Sequence, residues 1–360
     1  MNPRPIDADD ALARLHTFGA VLDARSPGEF ALDHLPGARN WAVLDDAERA
    51  RVGLLYVQTG PFEARRVGAA LVARNIAAHI ERDAGDWPRE LEPLVYCWRG
   101  GQRSGALAHI LAQVGWRVQL VRGGYKALRA ALVRQLAAAA AQQRFVVLCG
   151  PTGSGKSRLL QALARAGAQV LDLEQLAAHR GSVLGALPGV EQPTQKAFET
   201  SIWNALRAFD AQRPVWVESE SRKIGRLQVP DAVLEGMRAA PCVRLHTADA
   251  ARVRILREDY AELAADTAAL QQRLRALREL RGHAVVERWC ELVARDALDE
   301  LVVELLAQHY DPGYRGSIER NYSGFAAAPT LAVDTADAFD ALAAQLATQF
   351  TAPAAAPAAR

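Results

Sequence analysis

Two short segments of this sequence carry residues whose types and spacing could do chemistry. The first is Cys97, which is followed by a glycine-rich loop with Arg99 and by a second arginine, Arg103. A cysteine reacts as its thiolate, and positive charge together with backbone N–H groups at a helix start stabilises such an anion. Glycines at 100 and 101 would let the backbone curl around the sulfur without a Cβ clash. We therefore predict an anionic sulfur species on Cys97, with both arginines in catalytic roles.

The second segment is a phosphate-binding loop. Residues 150–157 fit the pattern G-x-x-x-x-G-K-[ST] in full and directly follow an apolar strand pattern, the context that this motif requires. We predict that Lys156 reaches the distal oxygens of a diphosphate and that Ser157 binds Mg²⁺. The predicted phosphate-binding residues are Gly150, Thr152, Gly153, Ser154, Gly155, Lys156 and Ser157. The motif leaves open whether the ligand is a nucleoside triphosphate or another diphosphate ester.

Two acidic residues are candidates for the acid or metal ligand beside this loop. The segment 215–218 occupies the place of a Walker B strand but ends in Glu218 instead of the usual aspartate. Asp172, at the end of the first strand pattern after the loop, is the alternative. The sequence contains no Asn-Lys-x-Asp guanine signature. We therefore keep both acids as candidates and leave the nature of the phosphate ligand open.

Clustered basic residues are candidates for a lid or for RNA contacts. Arg222 and Lys223 form one cluster, and Arg252, Arg254 and Arg257 form another. Acidic residues interleave with the second cluster, so a solvated helix face with ion pairs is one interpretation. Contact with phosphate groups is the other, with the arginines at 252–257 as a lid over the bound diphosphate and the other basic residues on an RNA backbone.

Alternating strand and helix patterns position both loops. Short apolar runs predict the strands that end at Cys97 and at Gly150, and helical spacing follows each loop. Such alternation indicates α/β domains with mostly parallel sheets. The pattern over 250–280 predicts one long, arginine-rich helix. The predicted parts of the chain are a first domain over 1–125, a connecting helix over 126–144, a second domain with helical additions over 145–350, and a disordered Ala/Pro tail over 351–360.

Composition narrows the class of protein. The chain has 360 residues, of which 50% are hydrophobic, enough for two cores, and its formal net charge is only +2. Any nucleic-acid site must therefore come from local clusters. The four cysteines show no paired spacing, which argues against a disulfide framework and against a structural zinc site. No run approaches the ~20 apolar residues that span a bilayer, so we expect a cytoplasmic protein without membrane attachment.

The cysteine loop resembles the active loop of rhodanese domains. The resemblance extends to the segments 22–30 and 34–38 and to the pair Gly123-Gly124, and it covers roughly residues 5–130. In rhodaneses the loop cysteine carries a persulfide. The resemblance implies an N-terminal rhodanese-like domain with a parallel sheet, followed by a P-loop NTPase-like α/β domain.

With both loops included, nearly the whole chain resembles the tRNA 2-selenouridine synthase family, which joins these two domains. The segments 45–53, 252–260 and 310–314 match the family as well. The resemblance implies a transferase that acts on the wobble uridine of tRNAs for Lys, Glu and Gln. The sulfur of 2-thiouridine would first be alkylated with geranyl diphosphate at the P-loop. Selenium from selenophosphate would then replace the geranylthio group through an S-selanylcysteine at Cys97.

The resemblance implies two substrates, selenophosphate and geranyl diphosphate, with Mg²⁺ at the P-loop and no tightly bound cofactor. A supplier of selenophosphate is an expected partner, and we expect a monomer. For the geranyl chain the sequence offers apolar residues near Trp203, Phe209 and Trp216, although ordinary core packing is the favoured interpretation of these residues. Two other functions remain open: an ATP-dependent rhodanese-type tRNA sulfurtransferase, and a non-enzymatic persulfide sensor that regulates a P-loop switch.

Overall fold

The computed structural model describes residues 1–333 and 338–351. By their contacts these residues form two compact units: Met1–Leu136 with Thr194–Asn204, and Ala137–Pro193 with the described residues from Ala205 onward. The division falls within the helix that we predicted as the connection between domains. It also assigns Thr194–Asn204 to the first unit, although we expected this segment in the second domain. The predicted tail lies outside the described residues, apart from Thr351.

The first unit is built on a five-stranded parallel sheet. Its strands are β1 (Arg4–Ile6), β2 (Ala20–Asp23), β3 (Ala38–Asn40), β4 (Pro93–Tyr96) and β5 (Gln119–Val121). They lie in the order β1-β5-β4-β2-β3. Its helices are α1 (Ala8–Ala13), α2 (Pro27–Leu32), α3 (Asp46–Gln58), α4 (Pro61–Asp83), α5 (Gln102–Val114) and the first part of α6 (Gly124–Gln142).

Burial explains why the central strands of this sheet form where they do. Every residue of β2 and β4 is buried, as expected of parallel strands covered on both faces. Leu22, Val95 and Leu107 pack in one core cluster between the sheet and its helices. The helix after β2 starts with a capping box of Ser26 and Glu29, which the run Ser-Pro-Gly-Glu in the sequence encodes. The carboxyl ends of β2 and β4 are thereby held side by side.

The second unit has a five-stranded parallel sheet of its own. Its strands are β6 (Arg144–Cys149), β7 (Gln169–Leu171), β8 (Pro214–Glu218), β11 (Cys242–Thr247) and β12 (Thr330–Val333), and an antiparallel hairpin joins β9 (Lys223–Ile224) to β10 (Leu227–Gln228). The order is β12-β11-β6-β8-β7. Helices that accompany this sheet are α7 (Lys156–Arg165), α8 (Leu173–Leu176), the end of α9 (Gln195–Ala208), α10 (Asp231–Ala239) and α18 (Ala338–Thr351). Two parallel sheets with covering helices confirm the predicted α/β class.

A helical region is inserted between β11 and β12. It comprises α11 (Asp249–Asp259), α12 (Ala261–Ala265), α13 (Thr267–Arg275), α14 (Arg278–Arg281), α15 (His283–Ala294), α16 (Leu298–Leu305) and α17 (Asp311–Asn321), with a π-helical turn at Leu306–Tyr310. The prediction of one long helix over 250–280 is wrong. Asp266 interrupts it because its side chain accepts a hydrogen bond from the Ala269 N–H at 2.9 Å and so caps the next helix.

Two further observations concern the class of protein. All four cysteines are free and buried. Among the residues that the structure describes, no helix combines the length and apolar character needed to span a bilayer.

Candidate active site

Cys97 lies at the carboxyl end of a central strand of the first unit. β4 ends at Tyr96, and Cys97 begins the loop that leads into α5. The cysteine is 3% exposed, and Ser104 Oγ donates a hydrogen bond to its Sγ at 3.0 Å. Ser104 belongs to the first turn of α5, so a hydroxyl donor and a helix start accompany the sulfur. This environment suits an anionic sulfur or selenium atom.

The loop around Cys97 is held by backbone packed against backbone. The Tyr125 N–H donates to the Cys97 carbonyl at 2.7 Å. Gly124 has φ +57, and a Cβ there would lie 2.2 Å from the Cys97 oxygen. Gly100 has φ +67, and a Cβ there would lie 2.9 Å from the Val121 oxygen. Only glycine fits both the positive φ and the close approach, which explains why the sequence has glycines in both segments.

The two predicted catalytic arginines differ in what they contact. Arg103 donates to the Glu29 carboxylate at 2.7 Å. Although burial opposes it, the hydrogen bond and charge of Arg103 lower the pKa of Glu29 below its usual value. Arg99 is exposed and forms no ion pair with any described residue. Arg99 is therefore available to an incoming anion, whereas Arg103 already belongs to an ion pair that stabilises the loop.

A buried arginine supports this site from within the first unit, and the sequence analysis missed it. Arg25 is 1% exposed, donates to the Asp23 carboxylate and the Asp33 carbonyl at 2.6 Å each, and lies 3.9 Å from the Tyr125 ring centroid. Trp98 in turn stacks on Tyr125 with ring centroids 5.5 Å apart. The Asp-Ala-Arg run at the end of β2 was the available signal. Through its contact with Tyr125, Arg25 stabilises the stacked pair of Trp98 and Tyr125 beside the cysteine loop.

The phosphate loop of the second unit connects β6 to α7. Gly153 and Gly155 have φ values of +78 and +84, which favour glycine at both positions. Lys156 Nζ donates to the Gly150 carbonyl at 2.8 Å, so the lysine folds back over the loop. This is the strand–loop–helix geometry in which backbone N–H groups and a lysine surround a phosphate.

The acid that contacts this loop is neither of the two predicted. Ser157 Oγ donates to Glu174 at 2.9 Å, and the Glu174 N–H donates to the Glu218 carboxylate at 2.9 Å. Asp172 accepts the Gln175 N–H at 2.8 Å and caps a short helix. β7 ends at Leu171, and the short helix α8 that follows places the Glu174 carboxylate beside the Ser157 hydroxyl. Glu218 supports Glu174 indirectly, because its carboxylate accepts the hydrogen bond from the Glu174 backbone N–H.

Burial raises the pKa values of the carboxyl groups in this cluster. Burial, followed by the charge of Glu174, raises the pKa of Glu220 to about 8. Burial, followed by the charges of the neighbouring acids, raises the pKa of Glu218 well above its usual value, and burial also raises that of Glu174. One carboxylate oxygen of Glu218 is buried without a hydrogen-bond partner. A bound cation would reduce the electrostatic repulsion among these buried carboxylates.

Oxygen donors beside the phosphate loop fit a magnesium ion. A serine hydroxyl and a carboxylate are the hard ligands that Mg²⁺ takes, and it usually completes its shell with water and phosphate oxygens. Within residues 1–333 and 338–351, no three His, Cys, Asp or Glu side chains form a metal-binding group by themselves. Ser157 and Glu174 would therefore hold the ion only together with a bound phosphate.

Arg252 does not act as the predicted lid. It is 4% exposed, donates to the Thr152 carbonyl at 2.9 and 3.1 Å and binds Asp311 at 2.6 and 3.0 Å. All of its strong contacts are internal, because α11 packs directly on the phosphate loop. Arg252 therefore supports the loop from behind. The sequence could not distinguish this buried arginine from its exposed neighbours on the same helix.

The other predicted lid or RNA contacts lie on the surface. Lys223 and Arg254 are exposed, and Arg222 and Arg257 each pair with a surface aspartate. Exposed ion pairs of this kind contribute little to stability. These four side chains could therefore turn toward a phosphate group, and their role stays a prediction.

A polar cleft lies over the phosphate loop. It encloses about 2100 Å³ of empty space, including space open to solvent, and Lys156, Glu174 and Glu220 contribute to its wall. The π-helical turn brings His309 and Tyr310 into the same wall; such turns are frequent at functional sites. Of the segment 310–314, the structure places Tyr310, Gly313 and Tyr314 in the wall of this cleft, a position that the sequence pattern does not predict.

The first unit thus has the geometry of a rhodanese-like domain, and the second that of a P-loop domain. Comparison with known families agrees with both assignments. Residues 7–131 match the rhodanese-like domain, and residues 143–285 match the AAA domain of tRNA 2-selenouridine synthase. The class defined by fold and site is therefore a fusion of a cysteine-loop domain with a phosphate-loop domain.

Full-length relatives identify the family. The chain is 33% identical over 346 residues to a tRNA 2-selenouridine synthase of Alcanivorax borkumensis, with 87% of this chain and 93% of the relative covered. It is 41% identical over 251 residues to the protein of that name from Cupriavidus necator, with 69% and 67% covered. A relative from Marinobacter nauticus shares 37% identity over 265 residues, with 73% and 71% covered. The chain belongs to the tRNA 2-selenouridine synthase family.

Proposed function

We propose that this protein converts 2-thiouridine at the wobble position of tRNAs for Lys, Glu and Gln to 2-selenouridine by two successive transfers. The observation that carries the proposal is the presence of both loops in one chain of this family. A sulfurtransferase needs only the Cys97 loop, and a phosphate-binding enzyme needs only the loop with Lys156. A reaction that releases a diphosphate and also handles a chalcogen uses both.

The first transfer would take place at the phosphate loop. The sulfur of 2-thiouridine attacks C1 of geranyl diphosphate, the C1–O bond breaks, and diphosphate leaves with the bonding electrons while the base loses its N3 proton. Loop N–H groups and Lys156 stabilise the negative charge that develops on the leaving group. Mg²⁺, when held by Ser157, Glu174 and the diphosphate, supplies further charge neutralisation. Alkylation turns a poor leaving group on the base into a better one.

The second transfer would use the cysteine loop. A C2–Se bond forms at the base, the C2–S bond breaks, and geranyl thiolate leaves. We assign the selenium carrier to Cys97 as an S-selanylcysteine. In its formation the Cys97 S–Se bond forms, water cleaves the P–Se bond of selenophosphate so that phosphate leaves, and a disulfide accepts the two electrons that this oxidation of selenide-level selenium releases. Release of selenide from the S–Se bond takes two electrons, which an external thiol would supply. Arg99, as the unpaired arginine of this loop, would stabilise the selenide anion.

Substitution of the cysteine tests the assignment of the second transfer. A Cys97→Ser protein, incubated with thiolated tRNA, geranyl diphosphate, selenophosphate and a thiol, should accumulate geranylthiouridine, measured by mass spectrometry of nucleosides. Cys290→Ala, which removes a buried cysteine of α15, is the control and should form selenouridine. Normal selenation by Cys97→Ser would refute the carrier role.

Substitution of the lysine tests the first transfer. Lys156→Ala should geranylate tRNA about 10²–10³-fold more slowly, the range typical for loss of one charge-stabilising donor. Arg165→Ala, at the opposite end of the same helix, should geranylate normally. Equal rates for Lys156→Ala and the wild type would mean that the diphosphate does not bind this loop. Transfer of sulfur that depends on ATP, without selenophosphate, would instead favour the sulfurtransferase interpretation.

A further inference from the structure

An apolar cavity lies beside the phosphate loop in the second unit. It encloses about 580 Å³ of empty space, including space open to solvent. Ten of its fourteen lining residues carry aliphatic side chains. Trp203 and Trp216, which the sequence offered as a geranyl wall, are instead 2% and 1% exposed core residues, and neither lines this cavity.

The apolar cavity adjoins the polar cleft over the loop. Four residues line both spaces: Thr152, Leu256, Tyr260 and Tyr310. Thr152 belongs to the phosphate loop itself. A single ligand can therefore place an anionic group on the loop and an apolar chain in the cavity. A nucleoside triphosphate has no apolar part that would require such a space.

Polar atoms are found where the cavity meets the cleft. The Tyr260 hydroxyl shares a hydrogen bond with Ser182 at 2.9 Å, and Arg257 pairs with a surface aspartate. Leu256 packs against the loop so closely that a Cβ on Gly153 would lie 2.9 Å from its side chain. The cavity wall and the phosphate loop are thus one packed assembly, and the distance between a diphosphate and an apolar chain is fixed by the fold.

The helices around the cavity are otherwise well packed. Leu263, Leu270 and Leu301 belong to a cluster of buried residues that also includes Trp289. Protein interiors are close-packed, with few voids larger than a water molecule. A cavity lined by aliphatic side chains at the edge of such a cluster, next to the phosphate loop, therefore indicates a site for an apolar group of a ligand.

We propose that this cavity binds the hydrocarbon chain of an allylic diphosphate and that its volume selects the chain length that is transferred. The inference rests on the proposed function, because it describes the same diphosphate substrate, but it can fail separately. Substitutions at two positions would change the cavity volume with little disturbance of the surrounding packing. Ala264 and Val302 line the cavity and are only partly buried, and each is followed in the sequence by an exposed residue of the same type, Ala265 and Val303.

Binding to the purified full-length protein is the first test. The wild type should bind geranyl diphosphate at least about 100-fold more tightly than inorganic diphosphate, since each buried methylene is worth about a fourfold gain in affinity. Ala264→Leu should lose about 10-fold or more of the affinity for geranyl diphosphate and none for inorganic diphosphate. Ala265→Leu should behave as the wild type. Equal binding of the two ligands by the wild type, or equal binding of geranyl diphosphate by the two variants, would overturn the inference.

Chain-length preference is the second test. With dimethylallyl, geranyl and farnesyl diphosphates as substrates, Ala264→Leu should shift the preference in kcat/KM toward the shorter chain. Val302→Ala should shift it toward the longer chain, and Val303→Ala should leave it unchanged. Unshifted preferences would overturn the inference while leaving the proposed function intact. A wild type that binds geranyl diphosphate tightly but transfers no prenyl group would refute the proposed function and retain the binding site.

Discussion

Glu220 offers a test of the electrostatics at the phosphate loop that does not depend on activity. Its side chain is 9% exposed and faces Glu174. Burial and the charge of Glu174 raise its pKa to about 8 from an ordinary value of 4.5. The folded protein therefore holds a proton on this carboxyl group at a pH where the unfolded chain has released it. That difference makes the free energy of unfolding depend on pH.

The sign and size of the effect follow from proton linkage. A raised carboxyl pKa contributes stability below the unfolded pKa and loses it as pH rises toward the folded value. For a single group with a pKa of about 8, the loss between about pH 6 and about pH 8 is about 2 kcal/mol. The Glu220→Gln variant cannot release a proton there. Its free energy of unfolding should fall by about 2 kcal/mol less than that of the wild type over this interval.

Urea denaturation of the ligand-free protein at about pH 6 and about pH 8 measures this difference. Glu235→Gln, on an exposed position of α10, controls for the loss of one carboxyl group. If the free energy of unfolding falls equally for Glu220→Gln and for the wild type between these two pH values, the folded protein does not retain a proton at this position. Saturating Mg²⁺ and diphosphate should reduce the pH dependence of the wild type, because a bound cation favours the ionised carboxylates.

Two further substitutions test how the loops are held. Arg252→Ala should lower the free energy of unfolding by about 3–5 kcal/mol, because it breaks a buried ion pair and removes donors from the phosphate loop. The exposed Arg254→Ala should change the free energy of unfolding by less than ~0.5 kcal/mol. Denaturant titration measures both values, and equal values for the two variants would contradict the buried role of Arg252. Gly124→Ala should cost about 1–3 kcal/mol and abolish selenation, because its φ is +57 and its Cβ would collide with the Cys97 carbonyl. Gly101→Ala, which meets nothing within 4 Å, should fold and selenate normally, and nucleoside mass spectrometry distinguishes the two variants.

Much of the architecture was predictable because both loops have strong local signals. A strand, a glycine-rich turn and a helix start are each encoded by short segments, so the positions of Cys97 directly after β4 and of Lys156 at the start of α7 followed directly from the sequence. The capping box at Ser26 was readable for the same reason. The rhodanese-like and P-loop assignments are confirmed by the family matches.

What the sequence could not provide were contacts between distant segments. Glu174 contacts Ser157 only because a short helix turns back after β7, and the spacing of residues gives no sign of that turn. Arg252 and Arg254 look alike in the sequence, yet one is buried against the loop and the other is exposed. The apolar cavity depends on α11, α12, α13 and α16 together, which no local pattern describes.

Supplying the intermediate shows whether the two loops serve successive steps on one base. Both Lys156→Ala and Cys97→Ser would be given tRNA that already carries geranylthiouridine, together with selenophosphate and a thiol. We expect Lys156→Ala to form 2-selenouridine, because its defect lies in the first step, and we expect Cys97→Ser not to form it. Selenation by Cys97→Ser, or its absence with Lys156→Ala, would contradict the assignment of the phosphate loop to the first transfer and the cysteine loop to the second.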